Sequence, residues 1–324
     1  MLNVSLASFS RRLLVARLTR RFDLVICLHS VFSNECLVTG STLRALGALR
    51  CPKVWFIGNE YKLMPEKMTF AEELGVDLLV SQIGNPAVLA LYRERLGCEV
   101  LSLPNAGLDA DLFRPTTPLH EREIDLGYRG YEAALYLGHL DRTVLPQWFL
   151  GRDQELGLRL DISVSPEDRF DEPGWAAFLN RCRGQLGCEA GTDFFELTDE
   201  LRVRVNAFTD ANPDATFEDV YERYFRRYGP HVSGRTLSGR IIEAAGTKTV
   251  QVLFEGEYDG FFEPDVHYIP LRKDFSNVAE AIAKLRDDET CRRLVDAAYE
   301  VAIDRLTYTR LLHDLGGAVA ALAA

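Results

Sequence analysis

The sequence predicts an α/β protein made of two Rossmann-like domains, and three observations lead there. Apolar runs of strand length alternate with stretches of helical periodicity, one Pro/Gly-rich break interrupts the alternation, and the same alternation restarts beyond it. Parallel strands need a crossover of about a dozen residues, which the helical stretches supply, and the helices then cover both faces of an open sheet.

In the first third, Phe22–His29 reads as a buried strand, Leu37–Leu49 as a helix and Lys53–Gly58 as the next strand. Helix Pro65–Leu74 follows, with Gly75 placed to end it, then strand Val76–Ser81, helix Pro86–Leu96 backed by Gly97, and strand Glu99–Leu103. Pro104–Pro118 holds three prolines and a glycine with no sustained period, which is the signature of a linker. Beyond it, Ile124–Gly130 is a strand ending in a tight turn, Leu140–Leu156 is largely helical, Leu158–Ser163 is a strand and Trp175–Leu186 a helix. Gly187–Gly191 reads as a strand end or loop. Residues 194–229 are charged and aromatic and predict two helices parted by Asn212-Pro213-Asp214. Thr216 and Asp219 form the cap signal of the second. This block is expected to be an insertion lying over the sheet edge. Helix Leu237–Ala245, strands Thr249–Phe254 and His267–Leu271, helix Val278–Leu285 capped by the segment ending at Asn277, and two or more further helices complete the chain. The predicted division is 1–115, then 116–300 with a helical insertion near 194–232, then a helical tail over 301–324.

At 324 residues, 47% apolar and 26% charged, the chain has material for two real cores. No apolar run reaches the roughly 18–20 residues that cross a bilayer. Seven scattered cysteines without CxxC spacing suit reduced thiols in a cytoplasmic protein, and six dispersed histidines form no metal motif, so neither metal nor cofactor is expected. A net charge of −11 argues against a nucleic-acid partner. Residues 1–22 nevertheless carry five arginines and no acid, which leaves −16 on the remainder when five is subtracted from −11. Phe9–Leu18 is therefore either a basic amphipathic helix in peripheral contact with an anionic membrane or a solvated helix leading into the first strand. It runs into that strand without a spacer, so cleavage as a transit peptide is not expected.

Two such modules around a linker fit a dehydrogenase, a two-lobed binding protein or a two-domain glycosyltransferase. No G-x-G-x-x-G turn follows the first strand and no secretory signal leads the chain, which disfavours the first two. The linker Leu103-Pro-Asn-Ala-Gly-Leu-Asp-Ala-Asp-Leu-Phe-Arg-Pro115 resembles the P-N-G-V-D-x-x-x-F-x-P segment between the domains of GT-B glycosyltransferases. Asp109-Ala-Asp111 within it mimics the metal-binding DxD of the other glycosyltransferase fold, but it ends no apolar strand and is set aside. Gly239-Arg-Ile-Ile-Glu-Ala-Ala-Gly246 with the strand after it resembles the family's R-x-F-E-A-x-A-x-G helix. The stretches Asp125–Gly130, Asp161–Ser163, Gly187–Asp193 and Leu253–Asn277 look like a bacterial family-1/4-like group, and the resemblance spans roughly residues 20–305. It implies two Rossmann-like domains facing a cleft, a nucleotide-sugar donor in the C-terminal one, an acceptor (glycan, lipid or small molecule) in the N-terminal one, and transfer without a metal. Most such chains begin with an additional strand, Gly-rich turn and βα unit, whereas here the first strand starts near residue 22, so the N-terminal domain is expected to be short. An inactive nucleotide- or glycan-binding scaffold is the alternative, and a nucleotide-sugar epimerase a third reading for which no carboxylate pair stands out.

The resemblance places Glu243 on the ribose hydroxyls of the donor, where a carboxylate can accept from both; the plain alternative is a helix N-terminal carboxylate. It places Glu189 and Gly191 in the loop beside the donor sugar, although Glu189 and Glu243 are 54 residues apart rather than eight, and Arg235 stands eight before Glu243. Arg129, at a strand end, is expected to meet the diphosphate, with Arg142 as a second phosphate candidate; each can equally be a surface arginine paired with an acid. Glu255 and Gly256, with Glu257 and Gly260, line the sugar pocket or form a solvated loop. His29 is the acceptor-side catalytic candidate or a structural histidine, and Asn105 at the hinge is a second acceptor-side candidate. Tyr221, Tyr224, Phe225 and Tyr228 fit a core better than a sugar-stacking platform.

Overall fold

The computed structural model describes residues 22–104 and 106–322, so the basic stretch Phe9–Leu18 and Asn105 lie outside the described residues. The first sheet is β1 (Val25–Cys27), β2 (Lys53–Phe56), β3 (Leu78–Ser81) and β4 (Glu99–Ser102), parallel throughout and laid down in simple order β1-β2-β3-β4. Its crossovers are α1 (Gly40–Gly47), α2 (Met64–Leu74) and α3 (Pro86–Leu96). Gly75 and Gly97 end α2 and α3 in the left-handed region at φ +67° and +65°. Asn85 opens α3 by accepting from the Ala87 amide, and Pro86 takes the first position, where its missing N–H is not needed. β2 is apolar on both faces because both are covered. Trp55 packs on Phe70 at 4.9 Å between ring centroids, while Val54 shares a core with Leu311 and Leu315.

The second half runs β5 (Ile124–Arg129), α4 (Asp141–Phe149), α5 (Asp153–Leu156), β6 (Leu160–Ser163), α6 (Glu172–Arg181) and β7 (Cys182–Gly187). A hairpin of β8 (Ala190–Phe195) and β9 (Val232–Thr236) then carries α7 (Glu200–Ala211) and α8 (Phe217–Val220) between its strands. After it come α9 (Gly239–Gly246), β10 (Val250–Phe254), β11 (Ile269–Leu271), α10 (Val278–Arg286), α11 (Asp288–Arg305) and α12 (Tyr308–Leu322). The second sheet is parallel in order β11-β10-β7-β5-β6. The chain leaves β5 toward one edge and β7 toward the other, so the topological switch point lies between these two strands. A crevice opens outside the carboxyl ends of strands at such a point.

Three expectations need correction. Trp175–Leu186 is not one helix: α6 stops at Arg181 and β7, the strand in the middle of the sheet, starts at the next residue. Cys182 and Leu186 keep a helix-like spacing of four, but the strand is decided by its neighbours. A Cβ on Gly184 would come 2.9 Å from Leu126, and one on Gly187 would come 2.8 Å from Leu253. The insertion does not lie over the sheet edge. Successive side chains of β8 point to opposite faces, so Phe194 enters a small core with Leu201, Val205 and Phe225, while Phe195 meets Tyr92 of the first half edge-on at 5.5 Å. The insertion thus joins the halves. Finally, Asn277 precedes α10 but its side chain does not cap it, bonding instead the Arg272 amide and the Pro270 carbonyl. The capping box of Thr216 and Asp219 is present at α8.

The linker and the α11–α12 turn run side by side, with the Leu108 amide on the Leu306 carbonyl at 2.7 Å. α12 then crosses to the first sheet and covers its second face. No described helix is long and apolar enough to cross a membrane.

Candidate functional site

At the switch point the structure holds a cavity of about 110 Å³. Tyr128, Gly130, Tyr131 and Arg142 form one wall, Gln185 to Cys188 at the end of β7 the floor, and Ser238, Arg240 and Ile241 at the start of α9 the other wall. The site arises from chain direction. β5 and β7 deliver their carboxyl ends to it, and the eight-residue α9 begins there with its amide groups leading.

Its electrostatics are unbalanced. Arg240 is half-buried and forms no hydrogen bond or ion pair among the described residues; its guanidinium lies 5.4 Å from the Trp175 ring centroid. Arg142, across the cavity, bonds the Tyr131 hydroxyl and stacks on that ring at 5.1 Å, again without a carboxylate. Burial holds the Arg240 pKa below its ordinary value against the opposing pull of Tyr128 and the Glu243 carboxylate, and the Arg142 charge adds a smaller push downward. Two like charges converging on a partly dry cavity are costly unless an anion joins them.

A second, balanced cluster frames the first. Asp141 accepts from Arg235 at 2.7 Å and Lys273 at 3.0 Å, and Arg235 also binds Asp193. Burial alone would raise the Asp141 pKa, but Arg235 and its neighbours hold it below the usual carboxylate value. Arg235, at the position where the family spacing would put an acid, thereby ties β9 and β8 to the start of α4. His139 lies between them. Burial and then Arg235 lower its pKa to about 4, so it is neutral at pH 7, with Nε2–H on the Gly191 carbonyl at 3.1 Å.

The sequence-derived candidates take different places around the cavity. Arg142 lines the cavity. Glu243 is one turn along α9, where its carboxylate accepts from Trp175 Nε1 at 2.7 Å, and burial raises its pKa. Glu189 follows the cavity floor but turns away to accept from the Tyr258 and Glu257 amides, and a Cβ on Gly256 would strike it at 2.7 Å, so these two candidates pack on each other. Gly191 sits at φ +87°, where a Cβ would be 2.0 Å from the Gly234 carbonyl, and so closes the hairpin. Glu255 is exposed just after β10.

Arg129 is a correction. Side chains alternate along β5, so Tyr128 faces the cavity and Arg129 faces α6. Its guanidinium is held by Asp161 and by the carbonyls of Tyr128, Asp161 and Asp168, between the rings of Phe170 and Phe178. It clamps β5 to β6 and is not among the cavity residues. His29 lies exposed at the end of β1 beside Gly58 and is not among the cavity residues. Arg240, Gln185 and Trp175 were not singled out from the sequence, although Arg240 occupies the leading arginine of the R-x-F-E motif. Among the described residues no group of three or more His, Cys, Asp or Glu side chains converges to hold a metal ion.

Solved structures superpose on nearly the whole chain. Sucrose-phosphate synthase from Thermosynechococcus elongatus matches at TM-score 0.54 and 10% identity, covering 98% of this chain and 78% of that one. HepE from Anabaena, solved in complex with UDP-glucose, matches at 0.53 and 12%, over 97% and 82%. A glycosyltransferase from Rickettsia africae ESF-5 matches at 0.52 and 9%, over 100% and 84%. The fold is GT-B. No protein-family model and no curated protein sequence matches the chain. Within the GT-B frame the cavity belongs to the C-terminal Rossmann-like domain. The first sheet closes on that domain through Asp259, whose carboxylate accepts from the Gly84 amide of the N-terminal half and the Leu237 amide just before α9.

Proposed function

We propose that the protein is a glycosyltransferase that binds a nucleotide sugar at the carboxyl ends of β5, β7 and β10 and transfers its sugar to an acceptor on the first sheet. The observation that carries this reading is the pair Arg142 and Arg240, converging on the first turn of α9 with no described carboxylate bonded to either. That arrangement suits a diphosphate. As the bond from the anomeric carbon to the diphosphate breaks and one to an acceptor hydroxyl oxygen forms, the departing oxygen keeps the electron pair and the hydroxyl proton passes to the departing diphosphate or to solvent. The two guanidiniums and the α9 amides then stabilise that charge in the role a metal fills elsewhere. Glu243, oriented by Trp175, is proposed to accept from the ribose hydroxyls. The cavity takes only part of such a ligand, the remainder lying in the cleft. The GT-B likeness, including a neighbour solved with UDP-glucose, agrees with this reading.

A nucleotide-binding scaffold without turnover is the second reading. It is favoured by the fact that no side chain of the first sheet lines the cavity. Thermal shift with a panel of nucleotide sugars, followed by assays for hydrolysis or transfer, separates them. A donor at a hundredfold over its Kd should stabilise the protein by about 2.7 kcal/mol, and Arg240→Ala should abolish that gain. No shift with any donor sinks both readings, and a shift without turnover selects the scaffold.

A further inference from the structure

The floor of the cavity holds a polar group that the protein leaves without a partner. Gln185 is 4% exposed, lies in the middle of β7 and lines the cavity. Its side-chain oxygen is buried with no hydrogen-bond partner, and its amide makes no hydrogen bond among the described residues. In register, Gln185 stands opposite Gly127 on β5, which has no side chain to offer, and Gln251 on β10. Gln251 is itself 1% exposed with both amide atoms unpartnered, so it does not satisfy its neighbour. Buried amides in native proteins almost always find partners, and one left open costs free energy. An apolar residue of the same length would fill this place in the sheet with less cost, so the amide requires another explanation.

The surroundings indicate which kind of group supplies the missing bonds. Leu186, Ile241 and Leu253 make the walls near Gln185 apolar, while both cations stand at Arg142 and Arg240. Charge is thus met by the arginines, and an uncharged hydrogen-bonding group is met by Gln185. A carboxamide both donates and accepts, which matches a hydroxyl or a carbonyl with an adjacent N–H. We propose that Gln185 is a specificity-determining residue that hydrogen-bonds an uncharged polar group of the donor, in its sugar or in its nucleoside, while the arginine pair holds the diphosphate. This rests on the donor-site reading above.

Titration calorimetry of the full chain with pyrophosphate, UDP and UDP-glucose tests it, using Gln185→Met, which keeps the side chain's length and removes its polarity. The variant should match or exceed the wild type in Tm, because an unsatisfied buried amide is gone. Pyrophosphate affinity should be unchanged, and affinity for at least one nucleotide ligand should fall tenfold or more. A loss seen with UDP and UDP-glucose alike puts the recognised group in the nucleoside, and a loss confined to UDP-glucose puts it in the sugar. Gln251→Met removes a buried amide one strand over that does not line the cavity. It controls for general core effects and should bind like the wild type. Wild-type protein that binds UDP and UDP-glucose while Gln185→Met binds both equally overturns this inference alone. Wild-type protein that binds pyrophosphate but no member of the nucleotide-sugar panel overturns the donor reading and this inference with it.

Discussion

At the amino ends of the second sheet, Arg122 is 4% exposed and donates to the carbonyls of Thr117, Leu179, Cys182 and Thr247 and to the Thr249 hydroxyl. At the carboxyl ends, Arg240 is half-buried, lies over the Trp175 ring, and feels the Glu243 carboxylate and a second arginine without a hydrogen bond to any described group. Burial lowers the pKa of both guanidiniums, that of Arg122 to about 10. The same side chain is therefore completed by the protein at one end of the sheet and left incomplete at the other. A completed guanidinium fixes the fold, tying the linker, α6 and the α9–β10 turn together. On the function proposed above, an incomplete one is left to attract an anion from outside the chain.

The strongest way to break this contrast is Arg122→Ala. It leaves several buried carbonyls without donors at once and should cost on the order of 4 kcal/mol, read as a fall in denaturation midpoint; a loss below about 1 kcal/mol would dissolve the distinction. The N-terminal half offers an intermediate case. Glu60 is 1% exposed and accepts from Ser81, Tyr92 and the Gln82 amide, yet burial still raises its pKa to about 7. A folded-state pKa above the unfolded one means that no penalty exists at acid pH, where both states are protonated. Between about pH 4.5 and 7 the unfolded chain releases this proton and the folded protein keeps it, so the Glu60 contribution to stability falls as pH rises, by about 3 kcal/mol at most. Denaturation across this range should show that slope flattened in Glu60→Gln, and an identical slope in the variant would refute the assignment. The smallest effect is expected at Arg240→Ala, whose stability without ligand should stay within about 0.5 kcal/mol of the wild type or rise. A large loss there would mean that Arg240, like Arg122, serves the fold.

The halves of the molecule differed in how far they could be read from residues. β2 and β3 were legible because strands covered on both faces are continuously apolar, and Gly75 and Gly97 marked helix ends by the one backbone region that favours them. β7 was not legible, since Gly184, Gln185 and Gly187 are chosen by strands that come from elsewhere in the chain. The site followed the same rule. Glu243 could be singled out because a local motif carries it, and the structure sets it one turn along α9 from the cavity. Arg129 was misplaced because position at a strand end says nothing about which face a side chain takes, and that face is set by the packing of Phe178 and the pairing with Asp161. Gln185 gives no signal in sequence at all: its significance lies in partners it does not have, which only the packed sheet reveals.

The return of α12 to the first sheet has a consequence for the order in which the protein can be made. β1 to β4 leave the ribosome before the second sheet, but Val54, Leu78 and Val80 wait for Leu311 and Leu315, encoded 231 to 261 residues later. At roughly 5–20 residues per second this amounts to tens of seconds at the slower rate. During that interval the earliest-born sheet has one greasy face open to chaperones or to neighbouring nascent chains, and the domain that starts first is the one that finishes last.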